Sequence, residues 1–148
     1  MSTYTQITYH LVFASKNRAP VFHKNYRREL YAYIHGILKN RNCHTFRING
    51  VEDHLHILTS LHPSISLANL IKEIKTGSSA WMKSRKGFEA FKHWQEGYGA
   101  FTHNREERSR LIEYIVKQEE HHLKISFEDE LRALVEEAGL EFDARYLP

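Results

Sequence analysis

The sequence predicts an α+β domain in which a central antiparallel sheet, built in split βαβ order, carries helices on one face. Three observations point there. Thr5–Ser15 and His54–Leu61 alternate apolar and polar residues with the period of a strand. Residues 24–40 and 66–81 space their apolar side chains at helical intervals. The segments follow one another as strand, helix, strand, strand, helix, strand, with helical segments after the last strand.

In the first strand Ile7, Tyr9, Leu11 and Phe13 share one face, and Thr8, His10 and Val12 share the other. Residues 16–20 then form a basic loop. The first helix, from about Lys24 to Asn40, places Tyr26, Leu30, Tyr33, Ile34, Ile37 and Leu38 on its apolar side. A short strand is expected around His44–Ile48, with a turn at Asn49-Gly50. From His54, residues Leu55, Ile57, Thr59 and Leu61 point one way, and His54, His56, Leu58 and Ser60 the other. Pro63 and Ser64 close that strand. Ser66 can cap a second helix, whose apolar face is Leu67, Leu70, Ile71 and Ile74, running on towards Trp81. Lys83–His93 is a basic loop, and Trp94–Phe101 holds a short, glycine-bearing strand. Asn104 with Glu107 opens a third long helix reaching about His122, with Leu111, Ile112, Ile115 and Val116 as its core face. Ser126 with Asp129 starts a last helix, and Gly139 marks its stop.

The first six elements match the ferredoxin-like plan. That plan sets the first and third strands side by side mid-sheet, puts two helices on one face and leaves the other free. An extra helix with Tyr114 and a C-terminal helix are added to it. With no repeat and no long linker, the 148 residues are expected to form one domain, 1–148.

Apolar residues make up 41% and charged residues 26%, the balance of a globular protein. No apolar run approaches the ~18 residues of a membrane span, and no signal peptide is visible, so no membrane partner and a cytoplasmic location are expected. The single Cys43 excludes an internal disulfide and a cysteine-rich zinc site. Charge is unevenly placed. The C-terminal segment 128–148 carries −5, whereas the rest, with 19 basic and 11 acidic side chains, carries +8. A solvated surface accounts for such asymmetry, but a basic body also suits a polyanionic partner.

His54 and His56 stand two apart on a strand, so both imidazoles leave one face, where they can ligate one divalent metal. Eleven histidines in this chain make about one His-x-His pair a chance expectation. Context is the stronger signal: the opposite face is apolar, so the pair points at the helix-free side of a central strand. Tyr114 and Gln118 are four apart on a helix, with Tyr114 off the apolar stripe. A tyrosine hydroxyl can act as a nucleophile, and a side-chain amide can complete a ligand set for Mg²⁺ or Mn²⁺. Each feature alone has a plainer reading, as a surface or structural side chain.

Together they resemble the single-tyrosine transposases of the IS200/IS605 type, within the HUH endonuclease superfamily. The opening strand 9–13 followed by Lys16, the His54-Leu55-His56 motif, the segment 94–101 and the Tyr-x-x-x-Gln motif of Tyr114 and Gln118 carry the resemblance, which spans about residues 4–127. It implies a transposase that cuts and rejoins single-stranded DNA at hairpin-marked ends. Tyr114 would form a 5′-phosphotyrosine link, and His54, His56 and Gln118 would hold Mg²⁺ or Mn²⁺. It also implies a homodimer, often with the tyrosine of one subunit completing the histidine pair of the other; for this chain the sequence leaves cis and trans open. His10, facing away from Leu11, is a candidate supporting group beside the metal. Lys16, Arg18, Lys72, Lys75, Lys83, Arg85 and Lys86 are candidate backbone contacts for DNA. Trp81, Trp94 and Tyr98 are candidates for stacking on bases.

Three other readings stay open. A non-catalytic nucleic-acid-binding module on this scaffold would present aromatic residues where His54 and His56 stand. A replication-initiator or relaxase-like nuclease would share the metal site in a longer chain. A domesticated relative that processes chromosomal hairpin repeats would differ in its genomic flanks, since a mobile element is bounded by paired terminal hairpins.

Overall fold

The structure is a computed structural model and describes residues 1–143; the end of the acidic segment, 144–148, lies outside the described residues. Strands β1 (Thr8–Ala14), β2 (Thr45–Gly50), β3 (His54–Ser60) and β4 (Gly99–His103) form one sheet in the order β2-β3-β1-β4. Every neighbouring pair is antiparallel, so β1 and β3 take the centre, as the ferredoxin-like plan requires. Helices α1 (Arg27–Asn40) and α2 (Leu67–Lys83) make the two crossovers. After β4 come α3 (Arg108–Val116), the short α4 (Gln118–His121) and α5 (Phe127–Glu137).

The alternation of β1 and β3 divides the sheet into two faces. Leu11, Phe13, Leu55 and Ile57 join Leu30, Ile34, Leu70 and Ile74 of α1 and α2 in the main core. Burying such side chains contributes ~1.5–3 kcal/mol each, which fixes the register, because a one-residue slip would turn all of them outward. Ser66 caps α2 by accepting from the Asn69 amide, and Asn104 with Glu107 forms the full capping box ahead of α3.

The second face is not free of helices. Val12, Ala14 and Phe101 are covered by Phe127 of α5, with Leu131, Leu134 and Val135 packed around them. Leu58 is covered by Leu111 and Ile115 of α3. The expectation of an open face fails because the chain after β4 has apolar stripes of its own to bury.

Two local expectations also change. Asn49 and Gly50 do not make a turn; they end β2, paired with His56 and Leu55, after a register shift between Thr45 and Arg47. Gly50 is required there, since a Cβ would lie 2.3 Å from the His54 carbonyl oxygen. The third long helix does not run to His122. It stops at Val116, where Asn49 Nδ2 donates to the carbonyls of Ile115 and Val116 at 2.9 and 3.1 Å, and α4 restarts after Lys117. Val116, expected in the core, is therefore 44% exposed.

Candidate active site

The site is assembled on the second face, where the chain turns its polar strand residues. His10 on β1 and His54 and His56 on β3 are all buried. The antiparallel register places Val12 opposite His56 and Ala14 opposite His54, which brings His10 diagonally beside His56. Their rings stack, and His10 Nε2 shares a 2.8 Å hydrogen bond with His56 Nδ1. On His54 the Nδ1 donates to Asp53 Oδ1 at 2.7 Å. Outer partners of this kind fix the tautomer and aim the other nitrogen.

That other nitrogen, Nε2 in each ring, faces the Glu130 carboxylate of α5. His56 Nε2 is 3.0 Å from Glu130 Oε1. His54 Nε2 is 3.3 Å from the same oxygen, without the alignment of a hydrogen bond. His122, just past α4, places its Nε2 3.0 Å from Oε1 while its Nδ1 donates to the Ile125 carbonyl at 2.9 Å. Tyr114 donates its hydroxyl proton to Oε2, and Gln118 Nε2 donates to Oε2 at 3.0 Å. Gln118 Oε1 lies 3.0 Å from His122 Nε2. Tyr114 and Gln118 thus reach one carboxylate although the helix between them is broken, because the break turns Gln118 inward and buries it.

His54, His56, His122 and Glu130 offer ligand atoms that all lie within 4.8 Å of one another, a group able to hold a metal ion. The donor chemistry fits a divalent cation, since imidazole nitrogens and a carboxylate suit first-row metals. Glu130 and His122 are the two site residues that sequence patterning did not single out. A signal existed for Glu130: it falls on the apolar stripe of Phe127, Leu131 and Leu134, where an acid is out of place.

The electrostatics follow from burial and these contacts. Burial acts to raise the Glu130 carboxyl, but the close approach of the His122, His54 and His56 imidazoles outweighs it and holds the group far below the carboxylate range. Burial, then the Glu130 charge, pushes the Tyr114 phenol well up. Burial also lowers His56 and takes His10 down to about 3, with His56 and His103 adding to the effect. At His54 burial works the same way, yet Asp53 and Glu130 prevail and the ring is raised.

The other candidates differ in exposure and in their partners. Lys72, Lys83, Arg85 and Lys86 are exposed, and Arg85 lies over the Trp81 ring at 4.9 Å. Lys16 and Arg18 are partly buried, Arg18 with φ of 54°. Lys16 and Lys83 border one groove, which starts two residues beyond Ala14, the partner of His54. Lys75, on the same groove, is half-committed within the fold: its Nζ donates to the carbonyls of Gln95 and Gly97 at 2.8 and 2.6 Å. Trp94 is not a stacking platform. It is 6% exposed, packed on Phe13, Phe22 and Phe91, with its indole N–H donating to Ser78 Oγ. Trp81 stacks on Tyr33, and Tyr98 remains exposed.

Known proteins agree with this architecture. The chain is 26% identical over 115 residues to the transposase for insertion sequence element IS200 of Salmonella typhimurium, spanning 74% of this chain and 75% of that one. The Salmonella typhi counterpart matches equally. A solved Deinococcus radiodurans protein, described as a candidate transposase, superposes with a TM-score of 0.62 at 20% identity, over 80% of this chain and 95% of its own. A REP-associated tyrosine transposase bound to a REP hairpin gives a TM-score of 0.58 at 17% identity, over 79% and 72%. Among the described residues no helix is long and apolar enough to cross a membrane. Residues 3–118 match the family of IS200-like transposases, a stretch that holds His54, His56, Tyr114 and Gln118, and the chain belongs to that family.

Proposed function

We propose that this transposase cleaves and rejoins single-stranded DNA at hairpin-marked ends, with Tyr114 as nucleophile and His54 and His56, beside Gln118, holding a divalent cation. One observation carries the reading: the Tyr114 hydroxyl and the Nε2 atoms of His54 and His56 converge on a single carboxylate, although they come from a helix and a strand far apart in sequence. The REP hairpin bound by the related transposase supports a hairpin as the DNA partner.

In the cleavage step Tyr114 Oη forms a bond to phosphorus, the P–O3′ bond breaks, and the 3′ oxygen leaves as a hydroxyl once protonated. The product is a 5′-phosphotyrosine and a free 3′ end, and the reverse step on another 3′ hydroxyl rejoins strands without ATP. The Tyr114 hydroxyl donates to a Glu130 carboxylate oxygen, which holds it beside the two histidines. His10 and Asp53 hold the two rings from behind. The chemistry a divalent cation supplies at such a site is polarisation of the scissile phosphate and relief of its developing charge. A homodimer belongs to this reading; tyrosine and histidines are already neighbours within one chain, so the reading favours action in cis.

The test is incubation with hairpin-bearing single-stranded DNA and Mg²⁺ or Mn²⁺. A covalent protein–DNA adduct is expected, absent in Tyr114→Phe. Equal cleavage by Tyr114→Phe would remove the nucleophile assignment. Binding without any adduct would favour the non-catalytic module.

A further inference from the structure

Glu130 and His122 lie beyond residue 118, where the family match ends, yet they occupy the centre of the site. The Nδ1 atoms of His54 and His122 are committed to Asp53 and to the Ile125 carbonyl, which leaves both Nε2 atoms aimed at Glu130 Oε1. The buried Nε2 of His54 has no hydrogen-bond partner, which marks it as an unused ligand atom aimed into the site. Two ligand atoms on one first-row cation, each at ~2.0–2.1 Å, stand about 3.3 Å apart. The separations here, 3.0, 3.0 and 3.3 Å from Oε1 to the three Nε2 atoms, are close to that.

We propose that Glu130 and His122, from the chain after α4, are ligands of the cation that His54 and His56 hold, so that this enzyme binds its metal through three imidazoles and a carboxylate. Gln118 then orients Glu130 through its amide instead of ligating. The inference rests on the metal reading of His54 and His56 given above. It also sets metal preference. Imidazole nitrogens favour first-row ions, Co²⁺ and Zn²⁺ more than Mn²⁺, whereas Mg²⁺ demands oxygen ligands and keeps its water. The last helix becomes part of the active site, and its covering of the sheet face serves to deliver one carboxylate.

Metal binding by the full chain, free of DNA, tests this. Mn²⁺ titration by calorimetry and by loss of the free-ion paramagnetic resonance signal would be run on wild type, Glu130→Gln, Glu130→Asp, His122→Asn and His56→Ala. Glu130→Gln keeps the shape and hydrogen-bonding reach of the side chain, so folding is expected to survive; circular dichroism checks it. Expected are Mn²⁺ binding at least tenfold tighter than Mg²⁺, a loss of tenfold or more in Glu130→Gln and His122→Asn, and partial recovery in Glu130→Asp. The Co²⁺-loaded wild type should show visible bands that change in Glu130→Gln. If Glu130→Gln binds Mn²⁺ as tightly as wild type or tighter, Glu130 is a plug competing with the cation and the proposal is overturned. Mg²⁺ binding as tight as that of Mn²⁺ would overturn it equally. Wild type that binds no Mn²⁺, or binds it unaltered in His56→Ala, removes the underlying metal reading too, which separates the two failures.

Discussion

The Nε2 atom of His56 and the Oε1 atom of Glu130 stand 3.0 Å apart across 74 residues of chain. One belongs to a central strand inside the family match, the other to an acidic helix beyond it. The contact ties the C-terminal helix to the sheet through the site itself, so α5 and the site should respond together to mutation.

Phe127 is the apolar anchor of that helix. It is 6% exposed, and its ring centroid is 4.3 Å from that of His54. Truncating such a ring costs ~3–5 kcal/mol when the site cannot collapse. Phe127→Ala should release α5 before it unfolds the sheet, because the main core around Leu11 and Leu55 is on the other face. Hydrogen exchange should show amides of 127–137 losing protection while those of β1 and β3 keep theirs. Uniform loss across the chain would mean that α5 is integral to the cooperative core.

The two aromatic residues at the start and end of the 94–98 segment should part ways. Trp94→Ala removes a buried indole and leaves the Ser78 hydroxyl without its donor, for a loss of ~3–5 kcal/mol in chemical denaturation. Tyr98→Ala, at a side chain 45% exposed, should leave stability within ~0.5 kcal/mol. If Tyr98 stacks on a base, its removal weakens single-strand binding by ~1–3 kcal/mol. Unchanged DNA affinity in Tyr98→Ala would exclude it from the interface.

Lysines that look alike in sequence should also separate. Lys83→Ala and Lys86→Ala act on exposed side chains and should each lower DNA affinity, reducing the salt slope by ~0.7 for a single strand. Lys75→Ala should instead lower the melting temperature, since the ammonium ties down the carbonyls of Gln95 and Gly97 and burial lowers its pKa. A salt slope reduced by Lys75→Ala as much as by Lys83→Ala would show that this lysine meets DNA after all.

The sheet was legible because its central strands are strict. Leu55 and Ile57 against His54 and His56 admit one orientation, and Leu11 and Phe13 against His10 and Val12 repeat it. The tyrosine and the two strand histidines were legible for the same reason, as polar groups at fixed phases of a period. What stayed hidden depends on contacts across the fold. Lys75 looks like any basic side chain until its two carbonyl partners are seen. Glu130 sits next to Glu128 and Asp129; its place on the apolar stripe of Phe127 and Leu131 sets it apart from the other two, but only the fold shows that it meets the strand histidines. The break at Lys117 has no proline or glycine to announce it, since its cause is an asparagine on another strand.

Asn49 is therefore the residue through which the sheet positions Tyr114. Its amide donates to the carbonyls of Ile115 and Val116 at the end of α3, and its own backbone pairs with His56. Tyr114 precedes those carbonyls and Gln118 follows them, so the same amide sets where both side chains leave the helix. Asn49→Ala should cost ~1–3 kcal/mol in stability, because two carbonyls at a helix end lose their donor. The larger effect should be kinetic. With the break unpinned, α3 can continue through Lys117, which carries Gln118 away from Glu130 and shifts the Tyr114 hydroxyl. A displacement of about 1 Å at a reacting group can cost ~100-fold in rate. Adduct formation on hairpin DNA should therefore fall far more than the stability loss predicts, whereas binding of the same DNA should hold. If adduct formation in Asn49→Ala tracks the folded fraction alone, the asparagine serves the fold and not the placement of Tyr114.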